Sequence, residues 1–149
     1  MKDILANKKV LISACLCGIN CRFDGGNKFH KIIKELSKIC ILIPVCPEQL
    51  GGLPTPREIS FFESGDGDKV IEGKAKVINS SGFDLTKNFL KGAYEVLKIA
   101  KLLNIKFFLF KEKSPACGLN KIYVKNILTS GKGVCSALLI KNGLRGFSL

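Results

Sequence analysis

Lys9-Val10-Leu11-Ile12-Ser13-Ala14-Cys15 is the stretch that decides the fold. A short apolar run that breaks into small residues and then a cysteine- and glycine-rich loop reads as a buried strand entering a connection. The pattern recurs twice. Ile41 to Val45 runs into Cys46 and a proline- and glycine-rich stretch to Arg57, read as a loop, and Ile105 to Phe110 runs into the loop Lys111 to Gly118. Amphipathic segments separate these runs. Asn27 caps an expected helix to about Lys38, with Phe29, Ile32, Ile33, Leu36 and Ile39 at helical spacing. Asp84 caps a second, long one to about Leu103, which buries Leu85, Phe89, Leu90, Ala93, Val96, Leu97 and Ala100. Asp68 to Asn79 alternates and is expected to form a small β excursion. Gly133 to Lys141 reads as the last helix and Leu144 to Phe147 as a short final strand. Strand and helix in alternation predict an α/β fold, a three-layer sandwich around a mainly parallel, Rossmann-like sheet, with residues 1–149 as one domain.

Composition narrows the function classes. At 46% hydrophobic and 24% charged residues the chain has ordinary globular composition rather than that of a disordered segment. No apolar run approaches the roughly 20 residues of a membrane helix. Ile12-Ser13-Ala14-Cys15 imitates the processing site of an exported protein. The apolar stretch before it, Val10 to Ile12, falls short of the roughly 7–15 residues of a signal core, so a cytoplasmic protein is expected. The net charge of +12 admits an anionic partner such as nucleic acid, but the lysines are scattered and no basic block marks a binding face.

Seven cysteines are many for 149 residues, and the number is odd. In a reducing compartment this points to ligation or catalysis rather than a disulfide framework. Cys15, Cys46 and Cys117 stand apart from the rest because each follows the carboxyl end of an apolar strand. In open parallel sheets that edge is where ligands bind. Gly18, Pro47, Gly51, Pro54, Pro115 and Gly118 surround them with tight backbone of the kind that fixes ligand directions. Three thiolates from three loops suit an iron–sulfur cluster with one iron left open, or a zinc ion completed by water. Cys40 and Cys135 read as core residues, Cys21 as either packing or support for the site, and His30, the only histidine, as a surface helix residue. Cys17 and Cys21 begin the spacing of a radical-cluster motif, but Asp24 occupies its third position.

These blocks carry a resemblance. Ser13-Ala14-Cys15-Leu16-Cys17-Gly18 with Cys21-Arg22-Phe23-Asp24-Gly25 resembles the opening signature of the thiouracil desulfidase family. Pro44-Val45-Cys46-Pro47-Glu48 with Gly51-Gly52-Leu53-Pro54-Thr55-Pro56-Arg57 is similar to its second block, and Lys113-Ser114-Pro115-Ala116-Cys117-Gly118 to its third. The tail from Gly133-Val134 to Phe147-Ser148 matches as well, so the likeness spans nearly the whole chain. The sequence departs from the family pattern at Cys17, where an aliphatic residue is usual, and at Ala116, where serine is frequent.

The resemblance implies an enzyme that removes sulfur from thiolated pyrimidines with a [4Fe–4S] cluster on Cys15, Cys46 and Cys117. It places the catalytic carboxylate on Glu48 and the active-site serine on Ser114. The expected reaction is a non-redox carbon–sulfur hydrolysis releasing sulfide. Longer relatives with an added domain are linked to thiolated transfer RNA, and this sequence carries no such addition, so the expected partner is a free base or nucleoside. On residue type alone, Glu48 serves equally to cap a short helix, Ser114 to start a turn, Arg22 and Asp24 to brace the first loop, and Arg57 to close the proline-rich one.

Overall fold

The computed structural model describes residues 1–149. In chain order the elements are α1 (Lys2–Leu5), β1 (Lys9–Ser13), a 3-10 turn (Ala14–Cys17), α2 (Ile32–Leu36), β2 (Ile41–Val45), α3 (Pro47–Leu50) and β3 (Ser60–Phe62). Then come α4 (Gly67–Ile71), β4 (Val77–Asn79), α5 (Thr86–Leu102), β5 (Phe107–Phe110), β6 (Lys121–Val124), β7 (Ile127–Ser130), α6 (Val134–Lys141) and β8 (Arg145–Ser148).

The first sheet has the order β2-β1-β5-β8 and is parallel throughout. Its two-residue side-chain period assigns each residue to a layer. Val10, Ile12 and Leu109 face Leu5, Ile33 and Leu36 of α1 and α2. Leu11, Phe108 and Phe110 face the opposite way, onto Phe89, Ala93 and Val96 of α5 and Leu138 and Leu139 of α6. Helix, sheet and helix form the expected three layers. Pro44 lies in β2, an edge strand, where its missing N–H removes no ladder bond from the sheet interior.

A second sheet, β4-β3-β6-β7, pairs β3 with β6 in parallel and is otherwise antiparallel. Phe62, Val77 and Ile122 attach it to the same core as α5 and α6. Only β4 falls inside the expected excursion. The first half of that segment is α4, whose N-cap Asp66 accepts from the Lys69 N–H at 3.3 Å. Strands β3, β6 and β7 lie in stretches too short or too exposed to show a clear period.

Two further boundaries differ. The helix expected from Asn27 begins only at Ile32. Asn27 Oδ1 accepts from Phe29 N at 3.0 Å in a local turn, and Lys28 N and His30 N donate to the carbonyls of Cys15 and Leu16. Those bonds tie the segment to the first cysteine loop and leave no i→i−4 ladder. The stretch after Cys46, expected as loop, contains the single turn α3, with Cys46 as N-cap and Pro47 at its first position, where proline's fixed φ suits a helix start.

Helix α3 lies directly on α5, and glycine allows the approach. A Cβ on Gly92 would sit 1.9 Å from the Pro47 carbonyl oxygen, and one on Gly51 would sit 2.1 Å from that of Asn88. Gly92→Ala is therefore expected to destabilise the protein by about 1–3 kcal/mol through overpacking. It should also move the Cys46 segment. Thermal melts, with iron uptake measured alongside, check this, and an unchanged melting temperature would refute the close seating.

Candidate active site

The parallel register ends three strands at one level, because Ser13 pairs with Val45 and Ile12 with Leu109. Cys15 follows β1 within the 3-10 turn, which Gly18 ends at φ 86. Cys46 follows β2 directly. Cys117 lies in a turn after β5 in which Ser114 Oγ accepts from the N–H groups of Ala116 (3.2 Å) and Cys117 (3.1 Å). The start of α6 clamps that turn. Val134 and Cys135 donate to the carbonyls of Pro115 and Ala116, and Ser136 Oγ donates to the Cys117 carbonyl at 2.7 Å.

Cys15, Cys46, Cys117, Glu48 and Ser114 all line one cavity of about 320 Å³, at the lower end of the range for small-molecule sites. Cys21 lines it too, whereas Cys17, Cys40 and Cys135 do not. Cys40 is buried with its thiol donating to the Leu36 carbonyl, and Cys135 is buried in the main core. His30 sits half-buried at the start of α2, its Nδ1 accepting from Ile32 N.

The thiols differ in character. Burial holds Cys15, Cys21 and Cys117 in the protonated range, with the Cys46 hydrogen bond the largest cause at Cys21. Cys46 goes the other way, to about 6. The neighbouring Cys21 thiol is the largest cause, outweighing burial, and the Gln49 N–H in α3 and Arg57 assist. As a thiol, Cys46 points instead at the Cys21 carbonyl, 3.8 Å away. Ser13, 2% exposed, accepts from Lys111 N at 2.9 Å, and its hydroxyl partly offsets the effect of burial on the Cys117 thiol. Arg22 and Lys111 place positive charge beside Cys15.

Arg57 is fully engaged. Its Nε meets Glu48 Oε1 at 3.1 Å, Nη1 donates to the Pro54 carbonyl and Thr55 Oγ1, and Nη2 donates to the Cys21 carbonyl at 2.9 Å. It closes the proline-rich loop and ties it to the first cysteine loop. Burial pushes the Glu48 carboxyl above the usual carboxylate range, and Arg57 draws it only part of the way back. The expected pairing of Arg22 with Asp24 is present as a long ion pair: Arg22 Nε is 3.9 Å from Asp24 Oδ1, beyond hydrogen-bond reach, and that oxygen accepts from Gly26 N.

Several residues of the cavity were not read from the sequence. Lys111 and Glu112 follow β5 directly. Burial works against the Glu112 charge, yet the N–H groups of Lys121, Asn120 and Leu119 bring its carboxyl down to about 2. Glu112 thus pins the turn carrying Cys117 to the second sheet. Polar residues directly after a parallel strand were the available signal for this pair. Ser60 and Tyr123 of the second sheet, with Ile59 just before β3, line the cavity too, and nothing local in their sequence marked them.

With this geometry in place, comparison with known proteins is informative. The family model described as 2-thiouracil desulfurase matches residues 10–148. The chain belongs to that family. Its likeness to family relatives runs end to end. The chain is 38% identical over 142 residues to the uncharacterized protein YbbK of Bacillus subtilis (strain 168), covering 93% of this chain and 94% of the relative. It also resembles the solved structure of a [4Fe–4S]-dependent thiouracil desulfidase, TudS, with a TM-score of 0.83 and 34% identity over 95% of this chain and 91% of that one. The α/β architecture with its parallel sheet is shared across that match.

The contrast among the thiols is measurable in cluster-free protein. Alkylation at Cys46, followed by peptide mass mapping, should show a midpoint near pH 6, and Cys21→Ala should move it upward because the neighbouring thiol is lost. A midpoint near that of an ordinary thiol in the parent would contradict the arrangement.

Proposed function

We propose that the protein is an iron–sulfur-dependent, non-redox desulfidase, one domain over residues 1–149, that releases sulfide from a thiouracil-like pyrimidine base or nucleoside in the cytoplasm. The observation that carries this reading is the convergence of Cys15, Cys46 and Cys117 with Glu48 on one cavity, in a chain belonging to the 2-thiouracil desulfurase family.

The donor set fits a [4Fe–4S] cluster. All three ligands are soft thiols, and they stand around a cavity. Cysteine thiolates are the usual ligands of such a cluster. The Arg22, Lys111 and Arg57 charges offset the thiolates that such a group requires. When bound through three cysteines, the cluster supplies an open iron of Lewis-acid character suited to the soft sulfur of a thiocarbonyl.

The protein's own residues supply the rest. Hydrolysis places a water oxygen on the ring carbon and releases the sulfur as sulfide, with no net change of electrons. Glu48 has the right character for the proton transfers. It is buried, held by Arg57 through Oε1, and its carboxyl is raised above the usual carboxylate range by burial, which suits a group that takes a proton from water and returns it. Ser114 has its oxygen committed to two backbone N–H groups, so it faces the cavity as a hydrogen donor and holds the Cys117 turn in shape. Arg57 keeps Glu48 in place and stays out of the reaction.

The test is sulfide release from 2-thiouracil by anaerobically reconstituted protein. The parent should release sulfide, and Cys46→Ala should lose both iron and activity. Glu48→Gln should keep its iron while turnover falls about 100-fold or more. Iron-loaded parent that releases no sulfide from any thiolated pyrimidine would overturn the assignment.

A further inference from the structure

Buried polar atoms are almost always paired in folded proteins, so the exceptions call for an account. Two buried side-chain nitrogen or oxygen atoms in this chain lack a hydrogen-bond partner, Arg22 Nε and Ser60 Oγ, and both residues line the same cavity. They reach it from opposite sides. Arg22 comes from the loop after β1, and Ser60 is the first residue of β3 in the second sheet.

Neither atom makes a hydrogen bond within the fold. Ser60 is 7% exposed and takes part in the β3–β4 ladder opposite Asn79 through its backbone alone. Alanine would fill that strand position without leaving a hydroxyl stripped of water. Arg22 stacks its guanidinium over the Phe23 ring at 5.3 Å, and its buried Nε, 3.9 Å from Asp24 Oδ1, is left without a hydrogen bond. Arg57, by contrast, has all three nitrogens hydrogen-bonded where it braces its loop.

We infer that Arg22 and Ser60 form the recognition pair for the polar edge of the substrate, selecting thiolated pyrimidines that carry a keto oxygen and ring N–H beside the carbon–sulfur group. The inference rests on the desulfidase reading and deepens it. An arginine N–H donates to a keto oxygen and cannot accept. A serine hydroxyl does either, so it can meet a ring N–H or share the oxygen. A ring with no oxygen at that edge would leave the Arg22 N–H buried and unpaired, and a site built on hydrogen bonds discriminates most strongly against the analogue that lacks the group.

The experiment compares 2-thiouracil with pyrimidine-2-thione, which has the sulfur but no keto oxygen, in anaerobically reconstituted holoenzyme. The parent should prefer 2-thiouracil by about 100-fold in kcat/KM. Ser60→Ala should raise its KM about tenfold with little change in kcat, and Ser60→Thr, which keeps the hydroxyl, should recover it. Arg22→Lys keeps the charge beside Cys15 but removes the fork, and should narrow the preference between the two rings. Parental KM values in Ser60→Ala, with parental ring preference in Arg22→Lys, would overturn the pair and assign both atoms to ordered water.

Uracil binding, followed by calorimetry in the same holoenzyme, separates this inference from the reading beneath it, because uracil has the keto edge but no sulfur to lose. If the parent desulfurates nothing, the proposed function falls. Weaker uracil binding in Ser60→Ala would then still support the recognition pair, and equal binding would overturn that as well.

Discussion

Strand β1 is held on both sides, by β2 through five paired residues and by β5 through three, with every strand of that sheet running the same way. A parallel sheet delivers all its carboxyl ends to one edge, and the register here brings the ends of β1, β2 and β5 level. A slip of one residue in β1 would turn Val10 and Ile12 toward the α5 face and Leu11 toward α2. Both cores would then be misfilled, so the alternation of three apolar side chains also sets where Cys15 lies. The chemistry of the protein hangs from that edge.

The central position of β1 has a second effect. Its loop lies between those of β2 and β5, and two of its polar groups reach sideways to them. Ser13 serves Cys117 on one flank and Cys21 serves Cys46 on the other, while Arg57 ties the Cys21 carbonyl to Glu48. Hydrogen bonds to ligand sulfurs orient ligands and tune the group they hold. Burial alone would keep every thiol protonated. The neighbouring Cys21 thiol, the Gln49 N–H of α3 and the nearby arginine single out Cys46 as the site where the thiolate forms most readily.

Much of this was legible in the sequence. The four strands of the first sheet, the long helix before β5 and the last helix are marked by apolar period, and the three cysteines by their shared place after strands. Glu48 and Ser114 came from the family resemblance, and the structure brings both to the cavity. Of the second sheet only β4 was legible, as part of the expected excursion from Asp68 to Asn79. Strands of three and four residues such as Ser60–Phe62 and Ile127–Ser130 are too short to display alternation, and the pairing of β3 with β6 joins Phe62 to Val124, more than 50 positions away. The cavity residues Ile59, Ser60 and Tyr123 were hidden for the same reason. The helix expected from Asn27 failed because its spacing was helical while its backbone donors were drawn to the carbonyls of the Cys15 loop.

The central claim is that three cysteines from three strand ends hold a four-iron cluster with one iron free of protein. Mössbauer spectroscopy of protein reconstituted anaerobically with iron-57 tests it directly, because that iron differs in its ligands from the other three. The account predicts an unequal pair of signals in a three-to-one ratio, with the minor one shifting when 2-thiouracil is added. A single mononuclear iron signal, or four equivalent sites indifferent to 2-thiouracil, would contradict it.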